Sequence, residues 1–276
     1  MTLNCRGHLL DLSEPVVMGI LNTTPDSFFD GGRFVDEEAV VARVRKMLAE
    51  GAVVIDVGGV STRPGAAEVS EREELQRVIP VVASVKKHFP DAVVSIDTWR
   101  SKVAQEAVGA GAAIVNDISA GRFDPRLFET VAALDVPYIL MHMQGTPQTM
   151  QQNPRYENVV NEVLDFFIEK LEKLRRLGIK DIVLDPCFGF GKTVEHNFHL
   201  LKNLAVFEHV LNLPVLAGIS RKSMICKVLK VNPEHALNGT TALHVEALRQ
   251  GARILRVHDV KEAAEVIALW KALEGA

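Results

Sequence analysis

Short apolar runs rich in β-branched residues alternate with longer stretches whose apolar positions recur at three- and four-residue steps, roughly one pair every 30 residues. The runs are Val16–Leu21, Val53–Val57, Val93–Ile96, Ile114–Val115, Tyr138–Met141, Ile182–Leu184, Val215–Ile219 and Ile254–Val257. Amphipathic helices are predicted over 36–50, 71–88, 101–110, 125–134, 158–177, 194–210, 240–250 and 261–273. The clearest spans 158–177, where Val160, Val163, Leu164, Phe167, Ile168, Leu171 and Leu174 share one side. Gly178 follows as a terminator, and Glu169–Lys173 and Glu172–Arg176 pair at four-residue spacing on the outer face. Runs apolar on both faces and separated by helices build a parallel sheet. Eight such units in about 260 residues are what a closed α/β TIM barrel, (β/α)8, requires. No Pro/Gly/Ser-rich linker divides the chain, so residues 1–276 are expected to form a single barrel domain. The first fifteen residues precede the first unit and are expected to cap the barrel floor as a short hairpin. An open doubly wound sheet is the alternative arrangement of the same units.

Composition narrows the function classes. With 47% hydrophobic and 24% charged residues, the chain falls among ordinary globular proteins rather than disordered ones. Lys plus Arg total 31 against 35 Asp plus Glu, a net charge of −4, so no long-range field draws nucleic acid or anionic lipid. Cys5, Cys187 and Cys226 are odd in number and match neither zinc nor thioredoxin spacing, so free thiols in a reducing compartment are expected. No window approaches the roughly 18 uninterrupted apolar residues of a membrane span. The N-terminal stretch has no basic start and carries Asp11 and Glu14, unlike a signal peptide, so a cytoplasmic location is expected.

In a barrel of this kind the active site lies at the C-terminal ends of the strands. Nearly every run leads there into polar residues. The first ends in Asn22, and the second holds Asp56 and leads to Ser61-Thr62-Arg63. The next four end in Asp97, Asn116-Asp117, His142 and Asp185, and the last two lead to Ser220-Arg221-Lys222 and to Arg256 and His258. Polar groups in buried runs cost several kcal/mol unless they are paired or used. Ser101 and Asp36 read as helix N-caps. Of the neighbours Asn116 and Asp117, one must face away from the barrel axis.

The remaining set has two poles. Asp97, Asn116, Asp185 and Lys222 offer carboxylates, an amide and an ammonium to the edges of a flat heterocycle. Arg63, Arg256, His258 and Asn22 form a donor-rich rim suited to phosphate. Two segments, 23–32 and 60–66, are rich in turn formers and long enough to act as lids. Other motifs do not hold. Gly191-Lys192-Thr193 imitates the end of a P-loop, but Pro186 stands where its first glycine belongs. His196 and His199 lie three apart on a helix without the pattern of a zinc site, and read as surface or interface histidines rather than zinc ligands.

Several stretches are similar to the dihydropteroate synthase family. They are Met18-Gly-Ile-Leu-Asn22-Thr-Thr-Pro25-Asp-Ser-Phe28, Asp56-Val-Gly-Gly-Val60-Ser-Thr62-Arg63-Pro-Gly65, Met141-His-Met-Gln-Gly145, Asp185-Pro-Cys-Phe-Gly-Phe-Gly-Lys192, Ser220-Arg-Lys-Ser223 and Arg256-Val-His258. They occur in family order along nearly the whole chain. The resemblance implies a transferase that joins 6-hydroxymethyl-7,8-dihydropterin diphosphate to p-aminobenzoate with release of diphosphate. It implies Asp97, Asn116, Met141, Asp185 and Lys222 at the pterin, and Asn22, Thr62, Arg63, Arg256 and His258 at the diphosphate. Asn22 would be the one protein ligand of Mg²⁺, which keeps its waters and takes other oxygens from phosphate. Pro25, Thr62, Arg63, Phe190, Ser220 and Lys222 would surround p-aminobenzoate, where sulfonamides compete. Catalysis would rest on Asp97, Lys222, Arg63, Arg256 and His258. A homodimer is the family's habit, with Ile267 and Trp270 of the last helix as candidate contacts. Val60 stands where Glu is expected and Cys187 where Gly is expected, the latter a modifiable thiol if exposed. Pterin-binding methyltransferase barrels are a rival class, though they hold no diphosphate and do not need the Ser-Thr-Arg-Pro stretch. A paralogue that binds a pterin without turnover is a second rival.

Overall fold

The eight β-branched runs are the staves of a closed parallel barrel in a computed structural model that describes residues 1–23, 29–30, 34–61, 69–146, 149–150 and 153–276. Numbered in chain order, the staves are β3 (Val16–Asn22), β6 (Ala52–Gly58), β7 (Val93–Asp97), β8 (Ile114–Asp117), β9 (Tyr138–Met141), β10 (Ile182–Asp185), β11 (Val215–Ala217) and β12 (Ala252–Val257). They neighbour one another in that order and close where β12 pairs with β3, which excludes the open sheet. Ahead of them β1 (Thr2–Cys5) and β2 (His8–Asp11) form the expected antiparallel hairpin, and β4 (Phe29–Asp30) pairs with β5 (Phe34–Val35) beyond β3.

The outer layer is α1 (Glu37–Ala49), α2 (Glu71–His88), α3 (Ser101–Gly109), α4 (Leu127–Leu134), α5 (Val159–Arg176), α6 (Val194–Lys202), α7 (Ala205–Leu211), α8 (Ser223–Leu229), α9 (Leu237–Arg249) and α10 (Val260–Glu274). The helix expected over 194–210 is two, because the Asn203 side chain turns back to the His199 carbonyl at 2.8 Å and ends the first. Helix α8 was not foreseen, since seven residues are too few for a periodic signal. Asp36 caps α1 by accepting from the Ala39 amide at 3.0 Å. Ser101 does not cap α3. It is the helix's first residue, and its amide and hydroxyl both donate to Asp124.

Each stave faces two ways. Val17, Ile55, Val94, Val115, Leu140, Leu184, Ala217 and Leu255 pack outward with the apolar sides of the helices. The alternate residues Met18, Val54, Val93, Ile114, Ile139, Val183, Leu216 and Ile254 fill the barrel's lower interior with Leu3, Cys5, Leu10 and Leu12 of the hairpin segment. That apolar plug confirms the capped floor. Ile267 and Trp270 pack into the outer core, so the exposed apolar residues of α10 are Leu269 and Leu273 instead. All three cysteines are free. Among the described residues no helix is long and apolar enough to cross a membrane.

Candidate active site

Above the apolar plug the inward positions turn polar. Two residues past the floor, Val54 gives way to Asp56, Ile114 to Asn116, Val183 to Asp185 and Ile254 to Arg256. The Arg256 guanidinium reaches across the mouth, with Nε donating to Asp56 Oδ2 at 2.6 Å and Nη2 to Asp97 Oδ2 at 2.7 Å. Asn116 Nδ2 donates to the same Asp56 oxygen at 3.1 Å. Asp97 and Asn116 are register partners on neighbouring strands. A second group forms across the barrel, where Asp185 Oδ1 accepts from the Cys187 amide at 2.8 Å and the Lys222 ammonium stands 4.7 Å from the Phe190 ring centroid. Met141, Met143, Ile118, Cys187 and Met150 form an apolar wall beside it, with Trp99, Phe123 and Phe190.

These charges are held against burial. Burial pushes the Asp97 carboxyl up to about 7; Arg256 opposes this, and Asp56, Glu74 and Asp117 add to it. Burial also raises Asp185, opposed by Lys222, the Cys187 amide, Arg256 and Lys192. Burial works against the Arg256 charge, but Asp56 and Asp97 outweigh it and hold the guanidinium above the ordinary arginine range. Asp56 Oδ1 and Ser95 Oγ are buried without a hydrogen-bond partner among the described residues. Protein interiors seldom leave such atoms unpaired, and here they sit on register-partner residues just below the mouth.

The structure therefore gathers Asp97, Asn116, Met141, Asp185, Phe190, Ser220, Lys222, Arg256 and His258 around one barrel mouth. Arg256 was expected on the rim, but it lies inside, on the carboxylates. Its length lets a β12 residue reach Asp56 two strands away and Asp97 three strands away. Ser220 Oγ accepts from the His258 backbone amide at 3.2 Å, which joins the ends of β11 and β12. The Asn22 side chain is exposed at the end of β3, with no hydrogen bond to a described residue. Pro25, Thr62 and Arg63, and most of the two expected lids, lie outside the described residues. Asp117 faces outward and is structural, accepting from the Tyr138 hydroxyl at 2.7 Å and from the Ser119 and Gly121 amides. His196 is half-buried, its ring and amide completing a capping box with Thr193 at the start of α6, and His199 is exposed.

Three participants have no assigned role in the sequence reading. Asp56 was visible inside an apolar run, and that position was its signal. Glu74, fully buried and ion-paired with Arg100, lies on a helix where Glu is ordinary. Lys192, buried against His142, ends a family-like stretch and sits in a failed P-loop in the sequence but carries no role there. Cys187 is buried and its thiol is pushed up to about 11 by burial and Asp185, so it is not a modifiable thiol.

Comparison with known proteins places this geometry. The family described as "Pterin binding enzyme" matches residues 18–258. Dihydropteroate synthase of Escherichia coli K12 is 49% identical over 274 residues, covering 99% of this chain and 96% of that protein. The Yersinia pestis dihydropteroate synthase, solved with a sulfonamide drug, superposes with a TM-score of 0.94 at 46% identity over 100% of both chains. The Xanthomonas albilineans enzyme, solved with 4-aminobenzoic acid, gives 0.91 at 41% identity over 100% of this chain and 98% of that one. With the family match spanning most of the chain, near-complete coverage on both sides and a shared barrel, the chain belongs to the pterin-binding enzymes as one of the dihydropteroate synthases.

Proposed function

We propose that the whole chain, 1–276, acts as one pterin-binding barrel that condenses 6-hydroxymethyl-7,8-dihydropterin diphosphate with p-aminobenzoate, releasing diphosphate and forming 7,8-dihydropteroate. The observation that carries the reading is the ring of charge around one mouth: Arg256 on Asp56 and Asp97, with Asn116 beside them and Asp185 and Lys222 opposite. Asp185 accepts from the amino and ring N–H edge of the pterin, and Lys222 donates to its carbonyl. Asp97 and Asn116 meet the remaining ring nitrogens, and Met141 lines a face. Arg256 stands between the poles, because an arriving diphosphate competes with Asp56 and Asp97 for its guanidinium. Arg63, Thr62 and His258 complete the diphosphate end. The p-aminobenzoate subsite is assigned to Pro25, Thr62, Arg63, Phe190, Ser220 and Lys222, and sulfonamides compete there.

An arylamine is a weak nucleophile, so the residues act by promoting departure of the diphosphate and by orienting the amine. Cations at the rim stabilise the leaving group, and ionised Asp97 offsets the positive charge that develops on the dihydropterin. Asn22 fits a magnesium ion: its amide supplies one hard oxygen at the lip, unengaged by any described residue. When bound there, Mg²⁺ neutralises diphosphate charge. A homodimer and a cytoplasmic location complete the proposal.

Diphosphate release, measured with each substrate omitted in turn, is expected only when both are present. Asp185→Asn and Arg256→Ala should each lower kcat/KM by about 100-fold or more, as removal of a buried recognition charge does. Full turnover in both variants contradicts the proposal, and methyl transfer from a methylated folate would favour the methyltransferase class.

A further inference from the structure

The half-buried Lys222 and Arg256 have roles in that reaction, while a fully buried cation beside them has none. Lys192 is 3% exposed and ends the segment between β10 and α6. Its ammonium donates to His142 Nδ1 at 3.0 Å and approaches the His142 carbonyl at 3.5 Å, and no carboxylate pairs with it among the described residues. A buried ammonium without a carboxylate is costly, and a methionine of similar length would fill the same space without that cost.

The segment it ends is tightly wound. Cys187, Gly189, Phe190 and Gly191 have φ of 56°, 102°, 28° and 81°, all left-handed. The winding is pinned by Cys187 N on Asp185 Oδ1 and by Gly189 N on Asn197 Oδ1, both at 2.8 Å, and by the Tyr156 hydroxyl on the Gly191 carbonyl at 3.0 Å. An ammonium can only donate, so the Lys192 bond makes His142 Nδ1 an acceptor and puts the ring proton on Nε2. Charged and titratable groups face Lys192 from each element around it: His142 past the end of β9, with the Tyr156 ring against it, Asp185 at the end of β10, Cys187 two residues beyond, and Lys222 at the start of α8. Arg122 lies beyond His142 and Arg256 beyond Asp185.

We propose that Lys192 is a positioning residue for pterin recognition, its ammonium tying the Phe190-bearing segment to the end of β9 through His142 and adding to Lys222 and Arg256 in favouring the ionised form of Asp185. This rests on the reading in which Asp185 accepts from the pterin. Burial draws the Lys192 ammonium down to about 8, so the help it gives is present at neutral pH and fades in alkali.

The test is the pH dependence of 6-hydroxymethylpterin binding to the intact protein, by calorimetry from pH 6 to pH 9. At pH 9, where the native ammonium is largely discharged, Lys192→Met should trail wild type only by the lost tie to His142. The deficit should widen by about threefold at pH 6, as loss of one nearby charge raises the Asp185 carboxyl. Equal binding throughout, or a loss of the same size at every pH, overturns the inference. If Lys192→Met does not fold, ¹³C NMR of the Asp185 carboxyl in the wild type must show a second inflection near pH 8 as Lys192 discharges, and its absence overturns the inference as well. Asp185→Asn separates the two claims. If it binds the pterin like wild type, the underlying reading fails. If it binds poorly at every pH while Lys192→Met is unaffected, only the role of Lys192 fails.

Discussion

On β12, Ile254 closes the floor and Arg256, two residues later, lines the mouth. The same step leads from Val54 to Asp56 on β6, from Ile114 to Asn116 on β8 and from Val183 to Asp185 on β10. One repeat of a strand, about 6.6 Å, separates an apolar plug from a set of buried charges. The floor gains from every residue it removes from water, whereas the mouth holds Asp97 and Asp185 against a burial penalty that raises both carboxyls. Binding chemistry at one end is tolerated because packing at the other offsets it. The two ends should therefore fail differently when altered.

The largest stability effect belongs to the floor. Leu12 and Met18 are both fully buried in the plug that joins hairpin to barrel. Truncating either to Ala should cost about 2–5 kcal/mol through lost burial and the cavity left behind. Denaturant midpoints should fall accordingly, while KM for both substrates at low temperature stays at wild-type values. A variant that unfolds normally but loses substrate affinity would erase the distinction between the ends.

A smaller and opposite effect is expected at the mouth. Asp97 binds its proton more tightly folded than unfolded, so it contributes stability in full below about pH 4, and that contribution is lost as pH rises through about 7. A fifth of its side-chain surface stays exposed, which tempers the burial penalty. Asp97→Asn should flatten the fall in stability between pH 4 and pH 7, with the variant ahead of wild type by about 1–3 kcal/mol at pH 7.5. Its activity should nevertheless drop. Urea unfolding across that pH range is the measurement, and an unchanged slope would show that the Asp97 carboxylate is not strained by the mouth.

The contrast also explains what was legible in the sequence. A parallel barrel writes its staves as apolar runs because both faces are buried, and a charge breaking such a run, as at Asp56, Asp185 or Arg256, is conspicuous for the same reason. Helices were harder wherever one side-chain bond or a short length decided the outcome, as at Asn203 and along α8. Lys192 and Glu74 were given no role because a charge in a loop or on a helix looks solvated until the fold covers it. The reach of Arg256 to strands two and three away could not be read either, since sequence spacing says nothing of distances around a closed ring.

The finest comparison is between the two faces of one segment. Asp185 faces the barrel mouth, and two residues on Cys187 packs into the apolar wall with Met141 and Met143 while holding φ at 56°. A left-handed conformation costs a residue with a Cβ about 1 kcal/mol, and glycine very little. Against that gain, Cys187→Gly loses a buried thiol and frees the unfolded chain. The terms are similar in size, so the variant should remain within about 1 kcal/mol of wild type. The Asp185 bond to the residue 187 amide uses only backbone and should survive. Pterin affinity should therefore be unchanged, and any sensitivity should appear in p-aminobenzoate or sulfonamide binding, where Phe190 moves with the same turn. A tenfold loss of pterin affinity would mean that the thiol itself, rather than the amide behind it, shapes the ring site.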